Sequence, residues 1–166
     1  MEEPLEVQVG RLLLRHRLTV ATAESCTGGL IGHLLTNVPG SSEYVLGGII
    51  AYSNKAKIHL LGVRPETLER HGAVSELTAL AMARGARERF GADIAVSVTG
   101  IAGPTGGTPD KPVGLAFVGL VTADAQRCER HIWAADRLGN KQLSAEAALR
   151  LLLDYLQEYG GKRWLA

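Results

Sequence analysis

Apolar residues recur along the chain with two different spacings, and these spacings predict the secondary structure. A first stripe at helical spacing predicts a covering helix at Leu5, Val9, Leu12 and Leu13. Residues 19–23, Thr-Val-Ala-Thr-Ala, are a short β-branched run typical of a buried strand, and helical spacing returns over residues 30–35. The chain therefore turns from strand to helix within residues 25–29, Ser-Cys-Thr-Gly-Gly.

The same alternation continues through the rest of the chain. Further strands are predicted at 46–52, 92–99, 113–122 and 127–134, the last two joined as a hairpin. Further helices are predicted at 55–61, between Pro65 and Gly72, and between Ser75 and Gly91. A long final helix is expected to end at Gly160-Gly161, with a tail that frays or docks through Trp164.

Helix and strand alternate over the first hundred residues, and this order predicts an α/β fold. We expect a three-layer α/β/α sandwich on a mixed β-sheet. The 166 residues, 46% of them hydrophobic, suit one domain over residues 1–166. Ligands bind beyond the carboxyl ends of the strands in such sheets. Ser25, the segment 52–57 and the loop from Gly100 all follow predicted strands, so parallel strands would bring them into one cleft.

Charge and composition narrow the possible partners. The formal net charge is +1 and the basic residues are dispersed, unlike the basic stripe of a nucleic-acid binder. No apolar run approaches the roughly 20 residues of a membrane span, and the acidic start is unlike a signal peptide. We expect a soluble, cytoplasmic protein with neither a nucleic-acid nor a membrane partner.

The cysteines and histidines give no metal-binding pattern. Cys26 and Cys128 are too few for a disulfide framework or a zinc site, and the five histidines lack ligand spacing. We therefore predict two reduced thiols, no metal and no cofactor.

The turn at residues 25–29 carries hydroxyl and thiol groups beside two glycines. Free N–H groups at a helix start suit an oxyanion hole, and glycine lets a substrate approach the backbone. The alternative is a plain helix cap, because Ser and Thr are favoured there. Glu24 could assist proton transfer, but an acid at a helix N-terminus stabilises the helix by itself, and we favour that interpretation.

A serine nucleophile needs a base, and no histidine stands in a recognisable relation to Ser25. Lys57 is the candidate, since burial would lower its pKa from the reference value of about 10.4; the alternative is a solvated helix lysine. The loop 100–107 either presents N–H groups to an anion or is an ordinary connection. Arg137 either holds a phosphate in a bidentate fork or forms a surface salt bridge.

Five motifs together resemble the C-terminal domain of the CinA (competence/damage-inducible) family. They are Ala23-Glu24-Ser25-Cys26-Thr27-Gly28-Gly29, Ala51-Tyr52-Ser53-Asn54 with Lys57, His71-Gly72-Ala73-Val74-Ser75, Thr99-Gly100-Ile101-Ala102-Gly103-Pro104 with Gly106-Gly107, and Lys111-Pro112-Val113-Gly114. They occur in the family's order between about Val7 and Leu156. Members act as nicotinamide mononucleotide deamidases, and a chain of this length resembles the single-domain form.

The resemblance implies a serine amidohydrolase that needs no cofactor, in which Ser25 is the nucleophile and Lys57 and Tyr52 activate it. It implies a cleft for the phosphate and ribose of a small nucleotide substrate. The residues expected to bind this substrate are Cys26, Thr27, Gly28, Gly29, Thr99, Gly100, Gly103 and Arg137. We also expect a homo-oligomer, with a dimer as its form.

The chain departs from the family pattern shortly after Arg137. The family has a second arginine where this sequence reads Asn140-Lys141, and lysine is not an equivalent bidentate donor. The departure bears on phosphate binding more than on the reaction. Two other functions stay open: a catalytically silent nucleotide-binding or regulatory module on the same fold, and a cysteine hydrolase using Cys26.

Overall fold

A five-stranded mixed sheet forms the middle layer of the fold. The computed structural model describes residues 3–163, with side chains as far as Gly161. The strands are β1 (Val20–Glu24), β2 (Val45–Ile50), β3 (Ile94–Gly100), β4 (Leu115–Val121) and β5 (Gln126–Ile132). Their order across the sheet is β2-β1-β3-β4-β5. β2, β1 and β3 are parallel, and β4 and β5 form the antiparallel hairpin, so the predicted mixed sheet is confirmed.

Helices cover both faces of the sheet and make the predicted three layers. The helices are α1 (Leu5–His16), α2 (Leu30–Thr36), α3 (Asn54–Leu61), α4 (Pro65–His71), α5 (Glu76–Phe90) and α6 (Arg137–Arg163), with a 3-10 turn at Ser41–Glu43. α1, α2 and α6 pack together on one face, and α5 covers the other face with α3 and α4 beside it. No helix in the described part of the chain is long and apolar enough to cross a bilayer.

Alternate residues of the strands pack into two separate hydrophobic cores, one on each face of the sheet. Val20, Val96 and Val98 are buried against the side of α1, α2 and α6. Ala21, Ala23 and Ala95 face α5, where small residues let the helix lie close to the sheet. Since both faces are covered, the central strand β1 is buried along its whole length, which explains its continuous run of apolar and small residues.

The last helix differs from its prediction at the C-terminal end. α6 does not end at Gly160-Gly161 but continues through both glycines to Arg163. Glycine costs about 1 kcal/mol in a helix interior without breaking the helix. Gly160 lies against the ring of His16 on α1, where a Cβ would come within 3.2 Å of the imidazole, so close packing favours glycine here. The prediction for Trp164 lies outside the described residues.

The carboxyl ends of the three parallel strands meet at one edge of the sheet. Glu24 pairs with Ile50 of β2 and with Val98 of β3, so the chain leaves all three strands at nearly the same level. The turn 25–29, the segment 51–57 and the loop from residue 101 therefore lie side by side. This is the shared edge that the sequence predicted.

Gly10 of α1 packs directly against the ring of Tyr44, the residue before β2. Tyr44 is 1% exposed, and its hydroxyl has no hydrogen-bond partner among the described residues. A Cβ on Gly10 would collide with that hydroxyl. Gly10, in the middle of α1, thus makes room for the tyrosine.

We expect Gly10→Ala to lower the free energy of unfolding by about 1–3 kcal/mol through overpacking, although this change in a helix ordinarily stabilises by about 0.5–1 kcal/mol. Tyr44→Phe should be neutral or stabilising, because it removes an unpaired buried hydroxyl. The double variant should lose less than Gly10→Ala alone. Urea unfolding of the four proteins measures these differences, and a stabilised Gly10→Ala protein would contradict the account.

Candidate active site

Glu24 closes β1 and holds the start of α2 from inside the protein. Its buried carboxylate accepts hydrogen bonds from the Thr27 hydroxyl at 2.7 Å and from the N–H groups of Ile31 at 2.9 Å and Gly32 at 3.0 Å. An acid in this position satisfies unpaired donors of the first helical turn and interacts favourably with the helix dipole. The arrangement supports the stabilising interpretation of Glu24 over a part in proton transfer.

Ser25 is held at the exact end of the β1–β3 ladder. Its N–H donates to the Val98 carbonyl at 3.0 Å, and its side chain is almost buried, with 7% of the residue exposed. Its carbonyl accepts from the N–H of Gly28 at 3.1 Å, which closes the turn. The hydroxyl is therefore fixed by the sheet on one side and by the turn on the other.

The turn leaves several backbone donors available for an anion. Gly28 and Gly29 have φ values of +62° and +104°, in the left-handed region that favours glycine. The Gly28 N–H donates to the Ser25 carbonyl, so it is removed from the set of predicted oxyanion donors. Within the described residues, the N–H groups of Cys26, Thr27 and Gly29 have no hydrogen-bond acceptor. These three remain the candidate oxyanion donors.

Lys57 reaches the turn 25–29 from α3. Ser53 caps this helix by accepting from the Ala56 N–H at 3.1 Å, and Lys57 is the helix's fourth residue. A helical side chain leans toward the helix N-terminus, so Lys57 points back along the segment after β2. Its amino group lies 3.1 Å from the Ser25 hydroxyl oxygen. The residue is only 1% exposed, so the alternative of a solvated lysine is wrong.

Two backbone carbonyls complete the surroundings of the Lys57 amino group. Its nitrogen lies 3.0 Å from the carbonyl oxygen of Ala51 and 3.2 Å from that of Tyr52. Ala51 is placed there because its own N–H donates to the Glu24 carbonyl at 2.8 Å, which extends the β1–β2 pairing past the strand ends. Burial lowers the pKa of Lys57 by desolvating its charged form.

The three oxygen neighbours suit both protonation states of the Lys57 amino group. The charged form donates to all three oxygens. The neutral form has two N–H donors and one lone pair, and donation to the Ala51 and Tyr52 carbonyls would leave the lone pair toward the Ser25 hydroxyl. A serine hydroxyl beside an unprotonated amine is the arrangement that nucleophilic catalysis by a Ser-Lys pair requires.

Tyr52 lies at the mouth of the site with 62% of its surface exposed. Its phenol oxygen accepts a hydrogen bond from Arg137 Nη2 at 3.2 Å, whereas its carbonyl oxygen contacts Lys57. The structure thus brings the phenol to Arg137 and not to Ser25 or Lys57. This geometry is compatible with direct proton transfer from Ser25 to Lys57 and offers no contact for a relay through the Tyr52 phenol.

The start of α6 is tied to the glycine-rich loop after β3. Arg137 Nη1 donates to the Gly103 carbonyl at 2.7 Å, and the buried Asn140 side chain donates to the Ala102 carbonyl at 3.0 Å. The Asn140 amide oxygen also accepts from the Ala135 N–H at 3.1 Å. Asn140 is therefore a structural link. Arg137 keeps further N–H donors for a ligand.

Three other predicted binding residues make structural contacts within the protein. The hydroxyls of Thr27 and Thr99 are buried and donate to Glu24 and to the Ala73 carbonyl, each at 2.7 Å. Gly100 lies in β3, where a Cβ would come within 2.7 Å of the Leu115 carbonyl. Substrate contact by these residues stays a prediction, and for Thr27 its backbone N–H is the group available.

Cys26 is buried and lines a small gap together with Ala102 and Asn140. Burial raises the pKa of its thiol to about 11, with a smaller contribution in the same direction from the Glu24 carboxylate. Such a thiol is protonated near neutral pH and is a poor nucleophile. The geometry therefore favours Ser25 over Cys26.

Sequence reasoning missed some of the contacts that build this site. The carbonyls of Ala51 and Tyr52 carry no side-chain signal. Lys141 approaches the turn, with its amino group 3.8 Å from the position that a Cβ of Gly28 would occupy. Its spacing of four residues from Arg137 was the available signal, since such residues share one helix face. Within residues 3–163, no group of three or more metal-binding side chains lies together.

Comparison with known proteins gives the family. The family model of the CinA C-terminal domain matches residues 2–156. The chain belongs to the CinA C-terminal domain family. This confirms the resemblance drawn from the five motifs.

Relatives and solved structures agree with that assignment. A CinA-like protein of Chlorobaculum tepidum is 57% identical over 162 residues, which cover 95% of this chain and 38% of that protein. This chain thus spans well under half the length of the curated relatives it matches. A CinA superfamily protein of Klebsiella pneumoniae superposes with a TM-score of 0.90 at 31% identity, covering 93% of this chain and 96% of the other. The competence/damage-inducible protein of Agrobacterium tumefaciens gives 0.87 at 41% identity, covering 95% and 99%.

Proposed function

We propose that this CinA-family chain hydrolyses the carboxamide of nicotinamide mononucleotide to nicotinate mononucleotide and ammonia. The observation that carries the proposal is the contact between the buried Lys57 amine and the Ser25 hydroxyl, at 3.1 Å. Such a pair has a clear use in acyl transfer, because the amine can take the serine proton. The family resemblance supplies the substrate, and the pair supplies the reaction.

In the first half of the reaction, the Ser25 oxygen attacks the carboxamide carbon while Lys57 takes the hydroxyl proton. The C=O electron pair moves onto oxygen, and the free N–H groups of the turn face this oxyanion. When the carbonyl re-forms, the C–N bond breaks and Lys57 returns the proton to the leaving nitrogen. Ammonia departs, and the nicotinoyl group remains on Ser25 as an ester.

In the second half, water replaces ammonia. Lys57, again neutral, accepts a proton from water as the water oxygen attacks the ester carbon. Collapse of the second oxyanion breaks the bond to Ser25, and Lys57 returns the proton to the serine oxygen. The product forms as a carboxylic acid, which loses its remaining proton to solvent and leaves as a carboxylate, and both residues regain their starting states.

The nucleotide part of the substrate is held at the mouth of the site. Arg137 reaches this mouth with its guanidinium between the Gly103 carbonyl and the Tyr52 phenol. Its remaining N–H groups suit a phosphate oxygen, since guanidinium binds phosphate in a directional fork. We propose that Arg137 and the loop 100–107 hold the phosphate and ribose, and that Tyr52 borders the ribose.

The direct test is ammonia release from nicotinamide mononucleotide by purified protein with a chelator present. Ser25→Ala should abolish turnover nearly completely, whereas Cys26→Ala should retain most of it because the buried thiol is protonated near neutral pH and is a poor nucleophile. Nucleotide binding without ammonia release would show a catalytically silent binding module. Loss of turnover in Cys26→Ala alone would indicate a cysteine hydrolase, and loss caused by the chelator would contradict the Ser-Lys mechanism.

The second prediction concerns the pH dependence set by Lys57. Its neutral form is the active one, and burial lowers its pKa, so kcat should rise with pH through a value well below about 10.4. Lys57→Arg keeps a positive charge that stays protonated, and Lys57→Met keeps an unbranched side chain without a base. Both should lose at least about the 10²-fold typical of a missing general base.

Circular dichroism and nucleotide binding serve as controls for folding in both Lys57 variants. Using two variants guards against a steric effect of the larger guanidinium in a buried position. Near-normal turnover in either folded variant would remove Lys57 from the mechanism.

A further inference from the structure

The amino group of Lys141 lies beside Gly28 in the turn 25–29. Lys141 lies one turn after Arg137 on α6, so both cationic side chains leave the same face of that helix. Its amino nitrogen is 3.8 Å from the position that a Cβ of Gly28 would occupy. The side chain is half-buried, and the described residues offer its amino group neither a hydrogen bond nor an ion pair.

The side chains of Arg137 and Lys141 contact different parts of the site. Arg137 is bound to the Gly103 carbonyl and the Tyr52 phenol at the exposed mouth. Lys141 instead lies beside the residues that follow Ser25. Its positive charge lowers the pKa of the Cys26 thiol against the effect of burial. The residue that follows Ser25 therefore lies within electrostatic reach of the Lys141 amino group.

We propose that Lys141 stabilises the negative charge that develops on the carboxamide oxygen when Ser25 attacks. The proposal rests on the amidase function above. The candidate oxyanion donors are N–H groups of the same turn, so an oxyanion bound to them lies next to the ammonium. A fixed positive charge at this point interacts more strongly with the charged intermediate than with the neutral amide, which is the requirement for raising kcat.

The position of Lys141 favours the amide end of the substrate over the phosphate end. The carboxamide and the phosphate lie at opposite ends of the mononucleotide, and Ser25 must meet the carboxamide. An ammonium over Gly28 is thus beside the reacting group, whereas Arg137 is at the mouth where the phosphate would lie. Lys141 therefore does not take over the phosphate contact of the family's second arginine.

The experiment compares kcat and KM for nicotinamide mononucleotide and for the phosphate-free riboside. Lys141→Gln should lower kcat by about 10- to 100-fold, and by the same factor on both substrates. This loss is smaller than the roughly 10²–10³-fold loss expected for a buried oxyanion donor, because solvent partly screens a half-buried ammonium. Lys141→Arg should recover most of the loss. Arg137→Gln should instead raise KM for the mononucleotide alone. Arg150→Gln, an exposed cation farther along α6, is the control for charge loss.

Two kinetic results would overturn the inference. A higher KM for the mononucleotide alone in Lys141→Gln would make Lys141 a phosphate ligand. Unchanged kinetics would make it a solvated lysine.

A fluorophosphonate probe separates failure of this inference from failure of the proposed function. The Ser25 oxygen bonds to phosphorus, the P–F bond breaks, fluoride leaves, and negative charge develops on the phosphoryl oxygen in the same hole. If the wild type releases ammonia from neither amide, the amidase proposal fails, but slower labelling of Lys141→Gln than of wild type would still support Lys141. Equal labelling rates, or no labelling of the wild type, would contradict it.

Discussion

The buried amino group of Lys57 is the constraint on which the rest of this site depends. Removing a lysine from water strongly disfavours its charged form, and an unpaired amine in the interior would be costly. The protein surrounds this group with three oxygen atoms, those of Ser25, Ala51 and Tyr52. In the neutral form of the amine, the two carbonyls would satisfy its N–H donors and leave its lone pair for the serine. Packing thereby lowers the pKa of this lysine, as the proposed role of a base requires.

That arrangement exists because parallel strands end together. β1 delivers Ser25, β2 delivers the two carbonyls, and β3 accepts the Ser25 N–H and leads into the glycine-rich loop. The helical layers contribute from both faces, with α3 supplying Lys57 and α6 supplying Arg137 and Lys141. The site therefore requires the complete three-layer fold, because no single element carries both Ser25 and Lys57.

Much of this fold could be predicted from the sequence, because hydrophobic spacing is a local property. The strand at residues 20–24 is buried on both faces, and its sequence shows it. The burial of Lys57 could not be found in the same way, since a lysine between Ala56 and Ile58 has the local pattern of a solvated helix residue. Its burial depends on a contact with Ser25, 32 residues earlier, that the β1–β2 pairing creates. Only the resemblance to the family linked Lys57 with Ser25, because the local sequence around Lys57 does not indicate a contact with that residue.

The remaining differences also come from tertiary contacts. Gly160-Gly161 has the local signal of a helix end, yet packing of α6 on α1 carries the helix through both residues. The Tyr52 phenol turns toward Arg137 because α6 begins opposite it, and Lys141 reaches Gly28 for the same reason. Each of these contacts joins residues that lie far apart in the sequence, so spacing within one segment could not show them.

The most direct test of the account is the titration of the Lys57 amino group itself. Protein with 13C at the lysine Cε can be followed by NMR as pH rises, with Lys57→Met identifying the Lys57 signal. The account predicts that Lys57 titrates below the reference value of about 10.4, because burial disfavours its charged form. A Lys57 pKa at or above that reference value would contradict the claim that burial prepares this lysine to take the proton of Ser25.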